Sequence, residues 1–140
     1  MELAMDKEAL HAFLVRDFAQ VAEMFDIVDV APMTITMRLR VGPEHLRPGG
    51  TVSGPTMFAL ADVAVYLAVM AMIGPKGLSV TTSCAMDFMR KPTANTDLIC
   101  ECRLLKLGRV LAVGDALIYS EGNPKPVARA NMTYSIPPKD

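Results

Sequence analysis

The sequence predicts an α+β domain in which a curved antiparallel sheet wraps one buried helix, and three observations lead there. From Pro55 to Ile73 nearly every residue is apolar, so a helix over this stretch has no wettable face and must be enclosed. Four strand-like runs follow, Leu78 to Met89, Asp97 to Leu107, Arg109 to Glu121 and Pro126 to Ile136. The breaks between them, at Pro92 to Asn95, at Gly108 and at Gly122 to Pro124, are too short for crossover helices, so the last three runs form an antiparallel meander. One sheet face covers one side of a helix; a helix apolar all round also needs sheet curvature or a partner subunit on its far side. A homodimer is expected on that ground.

At 140 residues and 51% hydrophobic content the chain suits a single domain, with a core that needs neither disulfides nor a metal. Its 14 basic and 15 acidic residues leave a net charge of −1, which excludes the global electrostatic footprint of a nucleic-acid binder. Three cysteines, Cys84, Cys100 and Cys102, fall in predicted strands, where a thiol packs as a small hydrophobe; a reducing cytoplasm is the expected compartment. The opening MELAMDKEALHAFL mixes acids among its apolar residues, unlike a signal peptide. The run from Pro55 to Ile73 has about the length of a membrane span, but a carboxylate near its middle is expensive in lipid, so a soluble core helix is expected.

From Asp6 to Met24 the residues Leu10, Phe13, Leu14, Ala19 and Val21, with Phe25 just beyond, recur at helical spacing between Glu8, Arg16, Asp17 and Glu23, which predicts an amphipathic first helix. Met33 to Val41 alternates apolar and polar without a break and predicts the first strand. Gly42, Pro43, Pro48, Gly49 and Gly50 then crowd a loop. Ser53 is placed to cap the next helix, Pro55 suits its first turn, and Gly74, Pro75 and Gly77 end it. Met57, Met70 and Met72 read as core gap-fillers. The organisation expected is one domain over 1–140, with an N-terminal helix in 1–26 and the core in 27–140.

Asp62 is the chemically pointed residue: apart from the phenol of Tyr66, it is the sole ionisable group between Pro55 and Ile73. A carboxylate so placed is either held as a fold-fixing polar contact, or attacks an acyl carbon or activates water beside one.

The run Gly50-Thr51-Val52-Ser53-Gly54-Pro55-Thr56-Met57-Phe58-Ala59-Leu60-Ala61-Asp62-Val63-Ala64 resembles the central-helix motif of hotdog-fold acyl-CoA thioesterases of the phenylacetate-pathway, PaaI-like type, V-H-G-G-x-x-x-x-L-A-D-x-A. The likeness continues through VTTSCAMDFMRKP, DLICECRLLKLGRVLAVGDALIYS and PVARANMTYSI, over about residues 33 to 136. It implies a hotdog fold and hydrolysis of an acyl-CoA, with Asp62 as nucleophile or general base and the Gly54 N–H polarising the thioester oxygen. It also implies paired subunits, often paired again as a dimer of dimers. Ser53 and Pro55 replace the family's histidine and second glycine, so Ser53 either substitutes a polar contact or only caps the helix. Arg47 aligns with a family asparagine or glutamine and is a candidate contact for a substrate anion. Thr81 falls where a hydroxyl can orient the nucleophile or water, with Thr82 open as a neighbouring alternative. Tyr66 joins the candidate substrate contacts.

Gly54 and Asp62 are eight residues apart, about 12 Å along a helix axis at about 1.5 Å per residue. One thioester cannot touch both, so a shared site must draw each from a different protomer. For the phosphates of coenzyme A the candidates are Arg90, Lys91, Lys106 and Arg109, as a local basic patch. No cofactor beyond coenzyme A as part of the substrate is expected. No metal is expected either, because His11 and His45 lack a second ligand at useful spacing. Two other readings stand beside hydrolysis: an acyl-CoA-binding regulator without turnover, and a hydratase or dehydratase, which would need a well-placed histidine.

Overall fold

The computed structural model describes residues 2–75 and 79–138. Two helices, α1 (Lys7–Asp17) and α2 (Ala19–Met24), lead into β1 (Phe25–Ala31) and β2 (Thr34–Leu39). The long helix α3 (Gly54–Ile73) is followed by β3 (Val80–Phe88), β4 (Leu98–Leu107), β5 (Leu111–Ser120) and β6 (Ala128–Ser135). The six strands form one antiparallel sheet in the order β1-β2-β4-β5-β6-β3. The meander expected from the short connections is β4-β5-β6, and the sheet curves around α3 as a hotdog fold does.

Two expectations change at the N-terminal end. The single helix expected from Asp6 to Met24 is broken at Phe18, whose backbone (φ −148°, ψ 54°) is not helical. More consequentially, Phe25–Ala31 is a strand where the sequence predicts none, and it pairs along β2 from Phe25↔Leu39 to Ala31↔Thr34. A register shift between Ile27 and Asp29 interrupts its alternation, and Asp26 and Asp29 dilute its apolar content, which is why the period-2 signal is weak there. The expected termination of α3 holds at Gly74, which takes φ +96°; Gly77 and Leu78 lie outside the described residues.

α3 is apolar enough and long enough to cross a membrane, but here it lies in the sheet's concave face. Leu60, Ala64, Val65, Leu67, Val69 and Met70 are fully buried. At Gly114 of β5 a Cβ would sit 3.0 Å from a Val65 methyl, so a larger residue there would press on the helix. The N-terminal segment covers the far side of the helix's second half: the Ala4 and Met5 N–H groups donate to the Ala71 carbonyl at 2.7 and 3.1 Å, and Leu10, Phe13 and Leu14 of α1 are buried. The first half has no such cover. Pro55 and Phe58 are exposed and Asp62 half-buried, at spacings of three and four, so one stripe of α3 stays open.

The loop before α3 is ordered by its own bonds. The Arg47 N–H donates to the Thr51 carbonyl (2.9 Å) and the Ser53 N–H to the His45 carbonyl (2.9 Å). Buried His45 braces it from below, its Nδ1 accepting from the Gly42 N–H at 2.9 Å.

Candidate active site

Asp62 sits on the open stripe of α3, facing the junction of β3 and β6. The Thr81 hydroxyl donates to its Oδ1 at 2.5 Å, and the Tyr134 phenol lies 2.6 Å from the same oxygen and 2.8 Å from the Asp62 carbonyl. The register explains the convergence: Thr81 and Tyr134 are direct cross-strand partners, so both side chains project to the helix face. A bulge at Thr82, between the Thr81 and Ser83 pairings, brings Thr81 onto that face. Among the described residues no cation lies within ion-pairing distance of Asp62, and Oδ2 has no protein partner.

The surroundings favour neutral hydroxyls and thiols around one carboxylate. Burial raises the Tyr134 phenol above its ordinary range, and its bond to Asp62 adds to the rise. The Cys84 thiol on β3 is raised by burial and then by the negative charge of Asp62. Tyr66, one turn beyond Asp62, is buried with its ring edge-on to Phe18 (6.3 Å) and tilted against Tyr134 (6.2 Å), and its phenol is also raised by burial. It therefore lines the buried side of the site.

The N-terminus of α3 supplies a different chemistry. Ser53 caps it: the Thr56 N–H donates to Ser53 Oγ (3.3 Å), and the two hydroxyls are 2.8 Å apart. That leaves the Gly54 N–H without a partner among the described residues, at the positive end of a 20-residue helix. The ring of Phe88 comes within 3.4 Å of where a Gly54 Cβ would stand, so glycine keeps this end accessible beneath an aromatic lid.

The remaining sequence candidates divide. Arg47 is exposed and its Nε donates to Thr51 Oγ1 at 3.1 Å. Thr82 points away from Asp62, its hydroxyl bonding the Thr133 carbonyl at 3.3 Å. Arg90 bonds the Pro126 carbonyl at 2.8 Å, and Lys91 is exposed beside it. Lys106 and Arg109 are at the opposite end of the sheet, at the β4–β5 hairpin near Leu111↔Ser135. From Leu111 to Ile118 β5 spans about 23 Å, so one chain does not gather these four cations into the single patch expected. Tyr134 and Phe88 are not among the residues the sequence singles out. Alternation in the last strand marks Tyr134 as inward-facing, and the need of a buried phenol for a partner was the signal available. Cys84 is exposed, unlike the packed thiol expected; Cys100 and Cys102 are buried.

A half-buried carboxylate on the central helix of a hotdog domain and, among the described residues, an unpartnered N–H at that helix's start are the groups this site offers, and the relatives of the chain make it a thioester hydrolase. The sequence profile of the thioesterase superfamily matches residues 49–127, and the chain belongs to that family. A structure of a candidate thioesterase from a Silicibacter species is 59% identical, superposes with a TM-score of 0.93, and is matched over 99% of this chain and 96% of its own. A point mutant of the phenylacetic acid degradation protein PaaI from Thermus thermophilus is 30% identical with a TM-score of 0.73, over 86% of this chain and 100% of its own. A candidate esterase of Pseudomonas aeruginosa is 28% identical over 107 residues, 76% of this chain and 78% of its own length.

Proposed function

We propose that the protein hydrolyses an aryl- or medium-chain acyl-CoA to the free acid and coenzyme A, with Asp62 acting on the acyl carbon across a homodimer interface. The observation that supports this reading is the state of Asp62: a carboxylate tied by hydroxyls on one oxygen and, among the described residues, open on the other with no cation within ion-pairing distance. As general base it takes a proton from water while the water oxygen bonds the carbonyl carbon. The oxyanion collapses, the C–S bond breaks, and the departing thiolate takes up a proton. As nucleophile it forms a mixed anhydride with release of the thiol, and water then cleaves the anhydride.

The dimer follows from the edge of the sheet. Among the described residues β3 pairs only with β6; the strand carries exposed Val80 (56%) and Phe88 (54%), and Phe58 on α3 is exposed as well (39%). Two copies joined antiparallel along β3 would set the Thr81 end of one strand against the Phe88 end of the other. Asp62 would then meet Gly54 of the partner subunit, whose free N–H receives the developing oxyanion. The same pairing brings Arg90 and Lys91 of one protomer to the end that holds Lys106 and Arg109 of the partner, where they would meet the phosphates of coenzyme A. Exposed Leu105, Leu111 and Leu117 on the outer sheet face offer a second contact for a dimer of dimers. Phe58 and Phe88 beside the site, and the name of the Thermus relative, favour an aryl group. The setting is cytoplasmic, where Cys84, Cys100 and Cys102 stay reduced, and coenzyme A enters only as part of the substrate. A hydratase would need a free histidine, and His45 is buried with Nδ1 engaged.

The test is thiol release from a panel of aryl and medium-chain acyl-CoAs by wild type and Asp62→Asn. A loss of about 10²–10⁴-fold is expected for the variant on every cleaved substrate. Equal rates would end the mechanism while leaving the fold untouched. In a single turnover in ¹⁸O-water, label in Asp62 marks the nucleophilic route with water attacking the aspartyl carbon of the anhydride.

A further inference from the structure

The alternation of β6 assigns Tyr134 to the core, but its phenol does more than fill space. The side chain is 2% exposed and its hydroxyl ends on Oδ1 of Asp62 at 2.6 Å. The Thr81 hydroxyl reaches the same oxygen at 2.5 Å, so two hydroxyls converge on one side of the carboxylate. The phenol has one proton and two acceptors, Oδ1 and the Asp62 carbonyl at 2.8 Å. The nearer, charged oxygen is the stronger acceptor. A terminal carboxylate torsion is soft and nearly two-fold, so an aspartate held only by its helix would exchange its oxygens freely.

The geometry points to Tyr134 as a positioning residue for hydrolysis: with Thr81 it ties up Oδ1 of Asp62 and leaves Oδ2 as the oxygen that meets water or the acyl carbon. The inference rests on the reading of Asp62 as the acting group. Burial keeps the phenol protonated through the neutral and mildly alkaline range, so the donor is always present there. A carboxylate released from this clamp would spend part of its time with the wrong oxygen or angle presented. Misplacement by about 1 Å can cost about 10²-fold in rate.

Steady-state kinetics of Tyr134→Phe, Asp62→Asn and the double variant test it, with melting temperatures alongside. Tyr134→Phe is expected to lower kcat about 10- to 100-fold with KM within about twofold of wild type. In the Asp62→Asn background the same change should cost nothing further, because there is no carboxylate left to aim. A wild-type kcat for Tyr134→Phe beside an inactive Asp62→Asn overturns the role of Tyr134 alone, as does a loss confined to KM or one that adds fully to Asp62→Asn. A wild-type rate for Asp62→Asn overturns the reading of Asp62 and this inference with it. 4-Aminophenylalanine at position 134 restores an N–H donor and should recover kcat to within about fivefold of wild type. A folded protein with that residue and a kcat about a hundredfold down would overturn the proposal even if Tyr134→Phe failed to fold.

Discussion

The two edges of the sheet are built to opposite ends. β1 is bent by a bulge at Val28, carries Asp26 and Asp29, and has Asp26 in an ion pair with Arg40 at 3.4 Å. Charges and a bulge are the usual means of keeping an edge from recruiting another strand. β3 carries a single charged residue, Asp87, held by Arg129 at 2.7 Å, and presents Val80, Cys84, Ala85 and Phe88 as exposed small or apolar residues. One edge is closed to partners and the other is open. Asp62 lies behind the open one, so the proposed chemistry and the proposed association surface occupy the same side of the molecule.

The strongest way to break the comparison is to charge each edge in turn. Ala85→Lys places like charges near the middle of β3 in both copies; it should convert the dimer to monomer in sedimentation and lower thioesterase activity by about 10²-fold or more, because each site would lose its oxyanion donor. Val28→Lys on β1 should leave both oligomeric state and kcat at wild-type values. A dimeric, active Ala85→Lys protein would remove β3 as the interface.

A second, smaller effect distinguishes the edge from the interior by its thiols. Cys84 is exposed in the single chain, while Cys100 and Cys102 are buried in β4. With a disulfide thiol reagent, native Ala85→Lys protein should show one reactive cysteine per chain, and wild type the same cysteine about tenfold slower, covered by the partner. Equal rates would mean that β3 is uncovered in solution.

The sequence made the closed part of the molecule legible and the open part only partly so. α3 was readable because an all-apolar run has one physical solution, and β4-β5-β6 because short Gly and Pro connections leave only antiparallel neighbours. β1 was not, since a bulge and two aspartates erase the alternation that marks a strand. At the site, a lone acid in an oily helix is visible in one dimension, so Asp62 stands out, while the role of the Gly54 N–H enters through the resemblance. The Thr81 contact came through the resemblance. Tyr134 could not be found the same way, because its meeting with Asp62 depends on a register between β3 and β6 set by the bulge at Thr82. The basic patch does not form within one chain for a related reason: Arg90 and Arg109 lie at opposite ends of the sheet.

The interior thiols give a third expectation, in alkali. Burial pushes Cys102 from 9.0 to about 12 and raises Cys100 as well. A raised thiol pKa means the folded state holds its proton after the unfolded chain has released it. This contribution to stability is complete below about pH 9 and is lost as pH rises from 9 toward 12. Each such group steepens the loss by at most about 1.4 kcal/mol per pH unit. Urea unfolding of Cys102→Ala between pH 9 and 11 should show a shallower pH slope than wild type, whatever its baseline stability. Cys84→Ala, on the open edge, should keep nearly the wild-type slope. Identical slopes for Cys102→Ala and wild type would mean that the thiol ionises without unfolding.

The smallest effect is expected at Ser53, where the family's usual histidine is absent. Its hydroxyl is taken up by the Thr56 N–H and the Thr56 hydroxyl, so it acts on the reaction only by fixing where α3 begins and where the Gly54 N–H points. Ser53→Ala should cost about 1 kcal/mol of stability, the ordinary value of a serine cap, and lower the melting temperature by about 2–5 °C. Its kcat/KM should change no more than a few fold, because Pro55 and the bond from the Ser53 N–H to the His45 carbonyl still hold the helix start. A fall in kcat beyond tenfold at an unchanged melting temperature would instead give Ser53 a direct contact with the reacting group. The open side of the molecule would then hold a second catalytic side chain, on the partner's half of the site.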